Sequence, residues 1–420
     1  MKHIIIVLCA LLCSCQMIQR PTKAKIRAIP TDPLQKSIYY IENNEAEKAL
    51  QELEPLLVNN ENPEIYYLTA RSYAAIAELD NAIIYYQKCL QLQSDYHPAY
   101  NLLKEIHRYR QITLQRQIDN LKEQQVTFSS SGRGDINAVM RELNQSYNRQ
   151  TQIYLAQGTA FLLYNNPPSN IADFAELEAQ LRDVQDFIRE RKQGYVSSLK
   201  KQSFTDPLYL KVLNMRSDVT KKHIQNLVTQ SRLELEQNNI ANAIDLLREA
   251  NTQTSRFYED KDSNIQSLVK DDQIESLSRD IAKQLINTYN KSIDVYVANR
   301  SKYEALQQWQ DIADQNRKIE ENMENLIQTQ VVQLMRFEKV SPEKVQRHPS
   351  LIPLYQKLLK ALPDSDKKGE YHLQLAKCFA EQKNYEIALK HAAIAKKDLG
   401  SYRVDDLIEK LVEQIKRSGK

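Results

Sequence analysis

Residues 63–96 read PEIYYLTARSYAAIAELDNAIIYYQKCLQLQSDY, and this stretch decides the fold. Its first half carries an apolar stripe at the period of an α-helix, and its second half carries another. The first stripe is Tyr66, Ala70, Tyr73 and Ala77, and the second is Ala82, Tyr86, Cys89 and Leu90. Because neither stripe can be buried alone, the stretch predicts two short antiparallel helices that pack face to face.

The order of aromatic and small residues in this hairpin resembles the tetratricopeptide repeat, a unit of 34 residues. The positions that carry the resemblance are Tyr66, Ala70, Tyr73, Ala82 and Tyr86. Tyr40, Ala49, Leu53 and Leu57 form a second such unit, displaced by 33 residues. The resemblance implies a helical solenoid that binds peptides or proteins.

The composition favours helices over the whole chain. Only 7 Gly and 13 Pro occur in 420 residues, so few positions suit the turns of hairpin sheets. The formal net charge is +3 and the body of the chain has no Lys/Arg block, which argues against nucleic acid as a partner. We therefore predict an all-α chain that is a degenerate tetratricopeptide-like helical-hairpin solenoid with a long-helix middle region.

Changes in helix length, together with proline and glycine positions, divide the chain into segments. We predict a lipoprotein signal peptide (1–14), a tether (15–32), N-terminal repeats (33–126), a linker (127–135), a helical hairpin region (136–206), long helices with degenerate repeats (207–340), and a C-terminal repeat with a capping helix (341–420).

Later repeats are marked by an alanine followed by Leu or Ile. These pairs are Ala49-Leu50, Ala82-Ile83, Ala243-Ile244, Ala305-Leu306 and Ala388-Leu389. Each pair follows soon after the predicted turn of a hairpin, and its alanine is predicted to occupy an inner position. By the same pattern Ala305 is an inner residue, and Trp309 on its face is predicted to lie in the core.

The amino terminus predicts export. A basic start at Lys2 and an apolar run too short to cross a bilayer are typical of a signal peptide. Leu12-Cys13-Ser14-Cys15 resembles the bacterial lipobox, which implies that Cys15 is acylated. Gln16 stands where an inner-membrane retention Asp occurs in similar lipoproteins, so the resemblance implies the outer membrane. The alternative is an ordinary secretory signal in which Cys15 has no role.

Nothing in the sequence predicts an enzyme, a cofactor or a metal site. The chain has no Gly-rich phosphate loop and no His-Glu-x-x-His motif. Cys89 and Cys378 fall on apolar helical stripes, which favours two buried thiols over a disulfide. Arg133-Gly134-Asp135 matches an adhesive tripeptide, but three residues recur by chance too often to carry an argument.

Candidate binding residues come from the groove positions of the family. The resemblance places Tyr67 and Arg71 in that groove for the unit at 63, with Glu64, Ala74 and Ala75 beside them. For the partial unit at 97 it places Asn101, Glu105, Arg108 and Tyr109 there. Aromatic and Arg side chains are enriched at binding hot spots, so these residues predict one partner-binding surface. The alternative is that tyrosine is simply a common surface aromatic in this chain, which has 23.

The sequence thus predicts a lipid-anchored, non-enzymatic scaffold of the bacterial cell envelope. Its predicted partners are envelope proteins or peptide segments, and the membrane through acylated Cys15. The predicted location is the outer membrane, facing the periplasm. Two alternatives stay open, namely a surface-displayed adhesin and an enzyme or enzyme activator hidden in residues 128–206.

Overall fold

The computed structural model describes residues 29–58, 61–131, 134–196, 207–259, 272–400, 402 and 404–418. Throughout these ranges the chain forms helices joined by short turns, and they contain no β-strand. The predicted all-α fold class with long helices in the middle is confirmed. The predicted signal peptide, Cys15 and Arg133 lie outside the described residues, and the predicted division into segments stays a prediction.

Two compact units divide the chain, residues Met1–Asn226 and Leu227–Lys420. The helices of the first unit are α1 (Pro33–Glu42), α2 (Ala46–Leu53), α3 (Pro63–Ala75), α4 (Leu79–Leu92), α5 (His97–Ser131), α6 (Ile136–Leu163), α7 (Pro167–Val196) and the larger part of α8 (Pro207–Glu236). Those of the second unit are the end of α8, α9 (Ile240–Glu259), α10 (Asp272–Ala305), α11 (Trp309–Arg336), α12 (Pro342–Val345), α13 (Ile352–Ala361), α14 (Lys368–Glu381), α15 (Tyr385–Leu399) and α16 (Asp405–Ser418).

The same short turn joins the helices of several hairpins. Between α3 and α4, the Glu78 amide donates to the Tyr73 carbonyl at 2.9 Å and the Ala77 amide donates to the Ala74 carbonyl at 3.1 Å. These two bonds form a Schellman motif, which satisfies the last carbonyls of a helix and needs a left-handed residue. The left-handed residues in such turns are Asn44, Ala77, Asn238, Gln307 and Lys383, with φ between 55° and 65°.

Asn44 has a φ of 61°, and asparagine tolerates this left-handed conformation better than most residues. The prediction that Ala77 belongs to the buried stripe is wrong. Ala77 is exposed because it occupies the left-handed position of the turn, two residues after Ala75, the last residue of α3.

Small buried residues occupy equivalent positions before and after four of these turns. The pairs are Ser37 with Ala49, Ala70 with Ala82, Ser231 with Ala243, and Ala376 with Ala388, and all eight residues are 0% exposed. Side chains of this size let two helix backbones approach closely, while larger neighbours such as Tyr86 fill the space around them. The inner positions predicted for Ala49, Ala82, Ala243 and Ala388 are confirmed.

The α10–α11 hairpin departs from this pattern. Its turn lies at Gln307, so the positions equivalent to the small pairs hold Arg300 and Ile312. The predictions that Ala305 is an inner residue and that Trp309 is core are wrong. Ala305 is exposed, and Trp309 is 74% exposed, because both lie at helix ends beside the turn rather than at the crossing point.

Longer helices follow the N-terminal hairpins. Helix α5 continues to Ser131 and so includes the first half of the predicted linker at 127–135. The hydroxyl groups of Thr127 and Ser130 donate to carbonyls of the preceding turn, at 2.9 and 3.0 Å, which keeps these residues compatible with a helix. After the turn, Asp135 caps α6 by accepting a hydrogen bond from the Ala138 amide at 3.0 Å.

The buried faces of the later helices follow the sequence pattern. One face of α7 has apolar residues at helical spacing and is buried, namely Phe174, Leu177, Leu181, Val184 and Ile188. Cys89 and Cys378 are free and buried, as predicted.

Within the described residues, no helix combines the length and the apolar character that a membrane span needs.

The left-handed alanine gives a stability prediction. Ala77→Gly should raise the free energy of unfolding by about 0.5–1 kcal/mol, because glycine adopts positive φ without the steric cost that alanine bears. Ala175→Gly, at an exposed position inside α7, should lower it by about 0.5–1 kcal/mol. Urea unfolding followed by circular dichroism measures both. Equal effects of the two substitutions would contradict the turn geometry.

Candidate functional site

Tyr67, Arg71 and Ala74, three of the predicted groove residues on α3, take part in the hairpin packing, whereas Glu64 and Ala75 are exposed. The ring of Tyr67 is half-buried, with its centroid 6.0 Å from that of Tyr86 and 5.2 Å from that of Tyr96. The Arg71 guanidinium lies over the Tyr67 ring, 5.8 Å from its centroid. Ala74, also expected in the groove, is 2% exposed and belongs to the core. Fewer side chains of α3 are therefore available to a partner than the family pattern implies.

The predicted residues on α5 point in different directions. Asn101, Glu105 and Arg108 are exposed, and the Asn101 side-chain amide contacts Nε2 of His97 at 2.8 Å. Tyr109 is half-buried and lines a cleft on another side of the helix. Consecutive helical residues diverge by about 100°, so Arg108 and Tyr109 do not share a face. Whether any of these residues binds a partner stays a prediction.

The cleft exists because α5 is much longer than α4. Near its start, α5 packs Ala99, Leu103 and Ile106 against α4 in one apolar cluster that also includes Ala160 of α6. Helix α4 begins at Leu79, and Arg110 of α5 reaches Asp80 there. Farther along, α5 and α6 continue as a pair without α4. We call the resulting space, with a volume of about 510 Å³, the α5–α6 cleft.

The walls of the α5–α6 cleft combine apolar and cationic groups. Leu114 of α5 and Ile153 and Ala156 of α6 supply apolar surface. Arg110 is held by the Asp80 carboxylate, with an N–O distance of 2.7 Å. Arg149 of α6 also lines the cleft; it is exposed and has no ion-pair partner among the residues that the structure describes. The Arg149 guanidinium therefore gives the cleft a positive charge that no described residue pairs with.

His107 is the most unusual residue of the cleft wall. It is 1% exposed, and neither ring nitrogen has a hydrogen-bond partner within the described chain. Burial, together with the nearby Arg110 charge, lowers the pKa of His107 to about 4. The imidazole is therefore neutral at pH 7 and keeps one unused donor and one unused acceptor. Buried polar groups in proteins are rarely left in this state.

No sequence pattern predicted that His107, Arg110 and Arg149 lie at one cleft. His107 falls on the apolar side of α5, where a histidine usually has only a packing role. The available signal was the length difference between α4 and the predicted helix that follows it, because a long helix beside a short one leaves part of its side uncovered.

A second cleft, with a volume of about 530 Å³, lies in the second unit beside Arg300. The Arg300 guanidinium donates to the Ala361 carbonyl and to Oδ1 of Asn316. Its Nε lies 3.3 Å from Oε1 of Glu304. Glu320 at the same cleft accepts hydrogen bonds from Ser365 and Tyr371 at 2.9 and 2.8 Å. Because its main polar groups already bond to one another, this cleft is a weaker candidate for binding a ligand.

Two comparisons found no relative of this chain. No protein-family model matches it, and no curated protein matches its sequence. A search of solved structures returned helical overlaps of low similarity. The crystal structure of yeast Tom70 overlaps with a TM-score of 0.19 at 10% identity, covering 91% of this chain and 96% of that one.

Two further structures overlap in a similar way. The structure of Naa15/Naa10 bound to HypK-THB has a TM-score of 0.19 at 12% identity and covers 91% of this chain. The crystal structure of the APC/C hetero-tetramer Cut9-Hcn1 has a TM-score of 0.17 at 12% identity, covering 90% of this chain and 76% of that one. The overlap spans 62% of the matched chain in the Naa15/Naa10 structure.

The buried histidines give a pH prediction. Burial lowers the pKa of His107 and of His223, which stacks on Phe174, from 6.5 to about 4. The unfolded chain therefore binds more protons between these two pH values. Stability should be complete above pH 6.5 and should fall as the pH decreases toward 4, by up to about 1.4 kcal/mol per pH unit for each histidine.

The substitution His223→Phe should reduce this pH dependence, because a phenyl ring can keep the contact with Phe174 and does not titrate. Urea unfolding of wild type and variant at pH 7, 6 and 5 measures the slope. An unchanged slope in His223→Phe would show that this imidazole is not buried in the neutral form.

Proposed function

We propose that the chain is a protein-interaction scaffold that binds a segment of a partner protein in the α5–α6 cleft. The observation that carries this proposal is the cleft itself, an open space of about 510 Å³ between two long helices. Tyr109, Arg110 and Arg149 at its walls belong to the residue types that are enriched at binding hot spots. An extended peptide could lie along the cleft with its apolar side chains against Leu114 and Ile153.

We further propose that the scaffold is attached to the bacterial outer membrane through Cys15 and faces the periplasm. The support is the Leu12-Cys13-Ser14-Cys15 sequence after a short apolar run. Acyl chains on Cys15 would provide attachment independently of the helical part, since each buried CH₂ contributes about 0.8 kcal/mol. Pro21, Pro30 and Pro33 favour a tether between the anchor and the first helix. In this proposal the protein is not an enzyme.

Filling the cleft tests the proposed binding function. Ala156→Trp places an indole in the cleft and should eliminate capture of partner proteins from crosslinked cells. The matched control is Ala175→Trp, at an exposed site on α7, which should capture the same proteins as wild type. Both variants should keep the helical circular dichroism signal. Undiminished capture by a folded Ala156→Trp protein would rule out the cleft as the binding site.

Replacing the lipidation residue tests the anchor. Cys15→Ser should move the protein from the membrane fraction to the soluble fraction and abolish labelling by a fatty-acid probe. Cys89→Ser is the matched control; this cysteine is buried in the helical core and should leave labelling unchanged. Labelling that persists in Cys15→Ser would contradict the lipobox interpretation.

A further inference from the structure

We propose that the α5–α6 cleft accepts a carboxylate adjacent to an apolar side chain, and that His107 takes up a proton when this carboxylate binds. The proposal rests on the proposed function, because it specifies the chemistry of the segment that the cleft holds. It adds a ligand class and a pH dependence to that function.

The charges at the cleft favour an anionic group. The ionised groups that line it are Asp80 from α4, Arg110 from α5 and Arg149 from α6. Asp80 pairs with Arg110, which leaves the Arg149 guanidinium without an ionic partner among the described residues. A carboxylate can accept two parallel hydrogen bonds from a guanidinium, so Arg149 suits this group better than it suits a neutral amide.

The remaining surface of the cleft indicates what accompanies the carboxylate. Leu114, Ile153 and Ala156 form apolar surface that is large enough for one aliphatic side chain. Thr113 and Gln152 at the walls can bond to backbone amides of an extended segment. A segment in which a carboxylate follows or neighbours an aliphatic residue would contact both parts of the cleft.

His107 couples this binding to pH. Its ring nitrogens are buried and have no hydrogen-bond partner within the described chain, and the charged groups that line the same cleft are Arg110 on its own helix, Asp80 on α4 and Arg149 on α6. Without a ligand, burial and the Arg110 charge hold the pKa of His107 at about 4. A negative charge entering the cleft stabilises the imidazolium, so the pKa of His107 rises in the complex. Reciprocity then requires that the carboxylate binds more tightly as the pH decreases.

Two small probes distinguish the contribution of the carboxylate to binding from that of the apolar side chain. N-acetyl-leucine carries both, whereas N-acetyl-leucinamide lacks the carboxylate. In full-length protein with ¹³C at the imidazole Cε1 positions, the acid at tens of millimolar should shift the His107 resonance and raise its titration midpoint. The amide should do neither. His107→Gln removes the resonance and so assigns it.

Affinity for the acid should increase between pH 7 and pH 5, by at most about tenfold per pH unit, which is the limit for uptake of one proton. Arg149→Gln should eliminate binding of the acid, whereas Arg116→Gln, an exposed position that does not line the cleft, should leave it unchanged. Equal responses to the acid and the amide, or no response of His107 to the acid, would overturn the proposal.

Failure of this proposal and failure of the proposed function give different results. If Ala156→Trp eliminates partner capture while the acid leaves His107 unaffected, the cleft binds partners without a carboxylate. If the acid binds at His107 while Ala156→Trp still captures every partner, the cleft has a small-molecule site and partner proteins bind elsewhere.

Discussion

Close approach of two helix backbones at small residues is the contact on which the short hairpins depend. Ala70 and Ala82 are 0% exposed at equivalent positions on either side of the turn at Ala77. The surrounding tyrosines pack around this contact rather than through it, as the stacking of Tyr73 and Tyr85 with a centroid distance of 5.4 Å illustrates. A larger side chain at either alanine would separate the helices and expose these rings, at a cost of about 1–3 kcal/mol.

The α5–α6 cleft forms where the packing of short helices of similar length ends. Helix α4 is only as long as its hairpin requires, from Leu79 to Leu92, but α5 extends to Ser131. The face of α5 that packs on α4 through Leu103 therefore continues past the end of its partner. The residues of α5 beyond the Arg110–Asp80 ion pair, including Thr113 and Gln117, lie past the first turn of α4 and line the cleft. A regular repeat with helices of equal length would bury that face and leave no cleft there.

Much of the fold could be predicted because helical periodicity and small residues are local properties of the sequence. The inner positions of Ala82 and Ala388 were indicated by the alanine pairs, and both residues are 0% exposed. Trp309 was misplaced because the Ala305-Leu306 pair imitates the start of a second helix, whereas the turn lies after it at Gln307. Only the backbone hydrogen bonds of the turn show where α10 ends and where α11 begins.

The candidate site was harder to predict because it depends on where helices end relative to one another. Arg108 and Tyr109 are adjacent in sequence, and the family pattern assigns both to one groove, but on a continuous helix they face different directions. His107 has the spacing of a core residue, but its buried ring nitrogens have no hydrogen-bond partner among the described residues. Neither the missing partner nor the length of α5 beyond α4 is visible from residue types alone.

A photo-crosslinking scan along α5 in living cells tests the central claim most directly. The crosslinker is placed at Thr113 and Gln117, which line the cleft, and at their neighbours Ile112 and Arg116, which do not. If partner proteins bind in the α5–α6 cleft, positions 113 and 117 should give crosslinks to them, and positions 112 and 116 should give none above background. Crosslinks from 112 and 116 alone would place the partner on a different face of α5 and contradict binding in the cleft.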